Sequence, residues 1–170
     1  TGNCLMKKKE ADFAIIGGGI VGLSVAHGLL KQGASVLCID GTDTDFKASR
    51  GNFGLVWVQG KGIKTPFYAA WTRDAARLYP DFVSELSEET GMKINLSQNG
   101  GYEYFIDSNA LDERIAEYKK LKSALNGDYP YEILSSSEIR AAEPMVGGKT
   151  IGATYYPYDG HLNPLQLLKA

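Results

Sequence analysis

Three glycines and one carboxylate carry the clearest chemistry in this sequence. Gly17, Gly19 and Gly22 stand at G-x-G-x-x-G spacing, and Asp40 follows about 20 residues on, the pattern of a dinucleotide-binding βαβ unit. The first glycine permits a tight turn, the second lets the backbone approach a pyrophosphate, and the third lets helix and strand pack closely. The phosphates then meet unpaired N–H groups and the positive end of the helix dipole. Asp40, at the end of the second strand, can accept hydrogen bonds from an adenosine ribose. Its charge repels a 2′-phosphate, which disfavours NADP.

These residues need elements to hold them. Ala11–Ile16 is a short apolar run suited to a strand buried on both faces. Ile20, Val21, Leu23, Val25, Ala26, Leu29 and Leu30 recur at helical spacing, and Gly33 stands where a C′ glycine ends a helix. Ser35–Ile39 is a second strand and would place Cys38 in the core. One complete β-α-β is followed by no second clear crossover, so a doubly wound sheet is not completed within this chain.

Residues 41–64 form a glycine-rich, loop-like stretch, too long to be common without a functional reason. Thr65-Pro66 reads as an N-cap with proline at N1, opening a helical stretch to Thr90 that is interrupted near Pro80 and stopped by Gly91. Beyond it, 93–96 and 102–106 read as two strands joined by a turn at 98–101. Ser108 would cap a helix over 109–125 that ends at Asn126-Gly127, followed by a strand over 131–134 and a capped helix from Ser135. A strand over 151–156 follows, and Asp159–Pro164 leads into a last helix. The expectation is an α/β chain, a Rossmann-like βαβ unit followed by part of an α+β domain with antiparallel strands. The boundaries are a leader over 1–8, the βαβ unit and its loop over 9–64, the α+β part over 65–156, and a return segment over 157–170.

Composition narrows the class. The chain is 44% apolar and 22% charged, with net charge −2. Its basic runs are short, and Lys7–Lys9 reads as a solvated lead-in, so nucleic acid is not an expected partner. No apolar run approaches the roughly 18 residues of a membrane span, and no secretory segment precedes the first strand, which points to the cytoplasm. Cys4 and Cys38 have no metal-ligand spacing, so no metal is expected. His27 falls inside the first helix and reads as packing or surface. His161 reads as a loop histidine, and the ten tyrosines as core or strand surface. No catalytic residue is assigned. The residues alone leave two alternatives open: an NAD-dependent dehydrogenase, and a nucleotide-carrying, non-catalytic subunit of a heteromeric dehydrogenase.

One longer pattern is more specific. The glycine turn, Asp40, Ser49-Arg50-Gly51-Asn52-Phe53-Gly54, the run on through Leu55 to Gly62, and Asp159-Gly160-x-x-Asn163-Pro164 together resemble the D-amino-acid-oxidase-like FAD-dependent oxidoreductases. The likeness is nearest to subunits of the opine oxidase, hydroxyproline dehydrogenase and hydrogen cyanide synthase type. It implies that Gly17, Gly19, Ile20, Val21 and Gly22 hold the FAD pyrophosphate, with Asp40 and Gly41 at the adenosine ribose. It also implies that Ser49, Arg50, Asn52, Gly54 and Leu55 line the flavin's phosphate, ribityl and ring side, and that Trp57 and Gln59 wall the substrate side. For Arg50 the plainer alternative is an ion pair with Asp43 or Asp45. The implied reaction is oxidation of the C–N bond of an amino acid, opine or related amine to an imine. A further implication is an N-terminal portion of a longer protein, with other subunits as partners and a peripheral membrane location if a quinone accepts the electrons.

Overall fold

The computed structural model describes residues 10–42, 44 and 47–170, so the expected leader, Asp43 and Asp45 lie outside it. The chain divides into two compact units, the first ending at Asn52 and the second covering Phe53–Leu168.

The first unit is one β-α-β. Strands β1 (Phe13–Ile16) and β2 (Val36–Ile39) pair in parallel, with Phe13 opposite Val36 and Ile16 opposite Ile39. Asp12 fixes this register from outside the strands, accepting from the Ser35 N–H at 2.8 Å and from its hydroxyl at 2.7 Å. Helix α1 (Ile20–Lys31) crosses between them and ends at Gly33, φ 81°, as its C′ glycine predicts. The two strands are not buried on both faces. Two strands and one helix leave apolar surface uncovered, so Ile16 is 88% exposed and Cys38 is exposed rather than in the core.

The second unit contains β3 (Leu55–Val56), α2 (Pro66–Thr90), β4 (Leu96–Ser97), β5 (Gly101–Phe105) and α3 (Ser108–Ala124), followed by β6 (Glu132–Ser135), α4 (Ser136–Ala142), β7 (Gly152–Tyr156), β8 (Gly160–Leu162) and α5 (Pro164–Lys169). Local signals start three of the helices. Asp107, in extended backbone, caps α3 by accepting from the Ala110 N–H at 2.9 Å, one residue before the expected Ser108. Ser135 and Glu138 form a reciprocal capping box on α4. Asn163 caps α5, with Pro164 in its first turn.

Two expectations fail for tertiary reasons. Helix α2 runs unbroken through Pro80. Proline has no N–H for the carbonyl four residues back, which here is Ala76. That orphaned carbonyl accepts from Gln98 Nε2 at 2.8 Å, and the same amide donates to the Tyr158 carbonyl at 2.7 Å. The second failure is the expected hairpin over 93–106. Instead β4 pairs with β8 and β5 with β7, all antiparallel. Together these pairings make a two-stranded ribbon of the segments β4-β5 and β7-β8, which both pass from one three-stranded sheet (β3-β8-β4) to the other (β5-β7-β6) at a bend.

At the bend the register slips. Between the pairs Ser97–His161 and Gly101–Tyr156 lie three residues on one side and four on the other, which makes a bulge. Asp159 lies in this bulge, fully buried. Its Oδ1 accepts from the Val58 N–H at 2.5 Å and its Oδ2 from Gln59 Nε2 at 2.9 Å. Gln59 Nε2 also donates to the Gly101 carbonyl at 2.9 Å, and Thr154 Oγ1 donates to Gln59 Oε1 at 2.7 Å. Around this network Tyr118, Tyr129 and Tyr156 form a wholly buried aromatic core.

The network has a pH signature. Burial pushes the Asp159 carboxyl up to about 6, against the N–H donors that favour its ionised form. Because the folded state binds this proton more tightly than the unfolded chain, the contribution of Asp159 to stability rises as pH falls from about 6 towards 4. Urea titrations across that window should show this slope in the wild type and not in Asp159→Asn. At pH 7 Asp159→Asn should cost about 1–3 kcal/mol, because one amide N–H₂ must face a donor. Gln98→Ala should cost a similar amount by orphaning the Ala76 carbonyl, and the loss should shrink in a Pro80→Ala background, where the helix supplies its own N–H.

Candidate cofactor site

The glycine turn has little room for any other residue. Gly17 lies at φ 104°, which favours glycine, and its N–H donates to the Ile39 carbonyl at 2.8 Å, joining the turn to the end of β2. A Cβ on Gly22 would collide with the Gly17 carbonyl oxygen and press on Ile15, so the close approach of α1 to β1 requires this glycine. A Cβ on Gly19 would stand 3.0 Å from Ser49 Oγ. The middle glycine, an unspecified position in the motif, is restricted as well: a Cβ on Gly18 would lie 2.8 Å from Asp40 Oδ2. Three consecutive glycines were the available signal for it.

The mouth of this turn suits an anion. Gly19 is the N-cap residue of α1 and offers no side chain to its first N–H groups, and the first turn has no acidic residue to offset the helix dipole. Ser49 Oγ accepts from the Ile20 N–H at 2.9 Å, which leaves the hydroxyl proton free to be donated. Asn52 holds the Ser49 segment in shape, its Nδ2 donating to the Ser49 carbonyl at 2.8 Å. Arg50 is exposed in the same turn and Val21 is exposed on α1. Asp40 is exposed at the end of β2 with Gly41 beside it. Lys47 and the N–H groups of Gly18 and Gly41 hold its carboxyl down at about 2, so it is ionised at neutral pH. These groups fit a dinucleotide: a glycine turn restricted by backbone conformation at Gly17 and by crowding at Gly18, Gly19 and Gly22, a helix N-terminus without a counter-charge, and an ionised carboxylate.

The remaining predicted residues belong to the second unit. Gly54 lies at φ 66°, and a Cβ there would strike the Leu162 carbonyl. Leu55, 59% exposed, pairs with His161, which stands on β8 rather than in a loop. Trp57 is half-buried, its ring close against Gly101. Gln59 is buried, and both ends of its amide bond to protein groups. The Gly60 N–H donates to the Tyr118 hydroxyl at 3.1 Å, and Gly62 packs on the Ala69 backbone. The second half of the glycine-rich stretch is therefore pinned from several sides. Sequence reasoning missed Asp159 as its anchor, because an Asp-Gly pair reads locally as a turn.

Among the described residues, no helix is long and apolar enough to cross a membrane. The family model for DAO, FAD dependent oxidoreductase, matches residues 12–170. An opine oxidase subunit from Rhizobium meliloti is 38% identical over 162 residues, covering 95% of this chain and 44% of that protein. A crystal structure of glycine oxidase from Bacillus cereus superposes with TM-score 0.76 at 29% identity, covering 94% of this chain and 42% of the other. Glycine oxidase from Geobacillus kaustophilus, at 24% identity and TM-score 0.82, shares the fold, with the same 94% and 42% coverage. The chain thus spans under half the length of these relatives. Matched along almost all of its own length, the chain belongs to the DAO family of FAD-dependent oxidoreductases.

Proposed function

We propose that this chain is the dinucleotide-holding part of a longer flavoprotein that oxidises the C–N bond of an amino acid, opine or related amine to an imine. The observation that carries the reading is the glycine cradle of the first unit, within a family match that runs from residue 12 to residue 170. FAD, when bound, supplies the hydride acceptor for such a bond. In this reading Gly17, Gly19, Ile20, Val21 and Gly22 receive the pyrophosphate at the start of α1, and the Ser49 hydroxyl donates to it. Asp40 accepts from the adenosine ribose, with Gly41 beside it. Arg50 offers its fork of donors to phosphate or flavin oxygens, while Asn52 shapes the turn that carries it. Gly54 and Leu55 line the flavin side. Trp57 faces substrate, and Gln59 anchors the run that carries it, since the Gln59 amide is already bonded within the fold.

The substrate class is inferred from the relatives named as opine and glycine oxidases, together with the resemblance of the Ser49–Gly62 run. A relative named as a subunit supports a second element of the proposal, that this protein works within a heteromeric enzyme. Co-purification of a second polypeptide with the full-length protein would test it.

The full-length protein should be yellow as isolated or after incubation with FAD. Its flavin absorption should bleach under anaerobic conditions on adding an opine or amino acid, and failure to take up FAD would refute the flavin reading. Gly22→Ala should destabilise the protein by about 1–3 kcal/mol through overpacking. It should also lower FAD retention at least tenfold in equilibrium dialysis, because α1 can no longer reach its place on β1.

A further inference from the structure

Asp40 is more heavily engaged than the dinucleotide motif alone requires. Lys47 Nζ forms an ion pair with Asp40 Oδ2. The N–H groups of Gly18 and Gly41 donate to the same carboxylate. An ionised carboxylate offers about four lone-pair positions, and three donors already draw on them. A ribose diol presents two hydroxyls. One of the present donors must therefore give way for both hydroxyls to bind.

The two backbone donors are poor candidates. The Gly18 N–H lies within the turn that Gly17 ties to the Ile39 carbonyl, and moving it would unmake the cradle. Gly41 directly follows Asp40 in the chain. Lys47 differs in kind, a point charge on a flexible four-carbon stem, its side chain 14% exposed and that of Asp40 36%. The carboxylate end of this pair is open to solvent and so screened by salt, and releasing a side chain moves no backbone, so this donor is the cheapest to release.

We propose that Lys47 competes with the adenosine ribose for the Asp40 carboxylate and so sets the affinity of this chain for its dinucleotide. The inference rests on the flavin reading above and adds to it a residue that opposes binding. Lys47 thus weakens FAD binding most at low ionic strength, where its hold on Asp40 is strongest. FMN lacks the adenosine and should be indifferent to Lys47.

The test uses the full-length protein freed of flavin, titrated with FAD and separately with FMN by flavin fluorescence at low and at moderate salt. Lys47→Met and Lys47→Gln should each bind FAD about two- to fivefold more tightly than wild type at low salt, with a smaller gain at moderate salt and no change for FMN. Lys47→Arg should stay at the wild-type value. Asp40→Asn should weaken FAD binding, and adding Lys47→Met to it should give no gain. Unchanged or weaker FAD binding in both neutral variants overturns the proposal, as does an equal gain in the Asp40→Asn background or with FMN. A wild type that binds no FAD refutes the flavin reading itself, which separates the two failures.

Discussion

A buried anion without a formal ion-pair partner among the described residues organises the second unit. Asp159 reaches about a hundred residues back along the chain to Val58 and Gln59, and through Gln59 to Gly101 and Thr154. Its carboxylate is satisfied by N–H donors rather than by a cation, so its desolvation is offset only while every donor stays in place. Four segments must therefore arrive together: the loop after β3, the start of β5, the middle of β7 and the bulge before β8. Removing any one of them leaves buried polar atoms unpaired. This requirement turns a glycine-rich stretch that reads as loose into a fixed wall carrying Trp57.

The first unit meets the opposite condition. Its charged and polar groups lie at or near the surface, and its form comes from backbone shape. Gly17 turns the chain, Gly22 lets α1 close on β1, and Gly19 leaves the helix N-terminus open. Asp12 and Ser35 then fix the strand register from the far end. The result is a cradle built largely from main chain. The flanking segment reaches it at two points, Ser49 Oγ on the Ile20 N–H and Lys47 on the Asp40 carboxylate.

Legibility followed the range of the interactions. The stop at Gly33, the box at Ser135 and Glu138, and the cap at Asn163 rest on contacts within a few residues, and the glycine turn on spacing within one β-α-β, so the sequence displays them directly. The errors arose where a distant partner overrode a local signal. Pro80 reads as a break until Gln98 takes the carbonyl it frees. The strands on either side of the 98–101 turn read as a hairpin until β7 and β8 claim them separately. The burial expected for β1 and Cys38 assumed cover on both faces, which one helix does not give. Lys47 carries no motif of its own and Asp159 reads as part of a turn, and the partners of both side chains are visible only once the chain is folded.

The proline in α2 has a consequence beyond local geometry. A regular helix interior presents a repeating surface on which a neighbour can slide by a turn and find similar contacts. Pro80 removes that degeneracy. It frees a single interior carbonyl, at Ala76, and the Gln98 amide that fills it is also bound to the backbone at Tyr158, beside the bulge. The flaw in the helix thus works as an address: it marks one position along 25 residues where the corner of the ribbon can dock, and it penalises the alternatives one turn away in either direction.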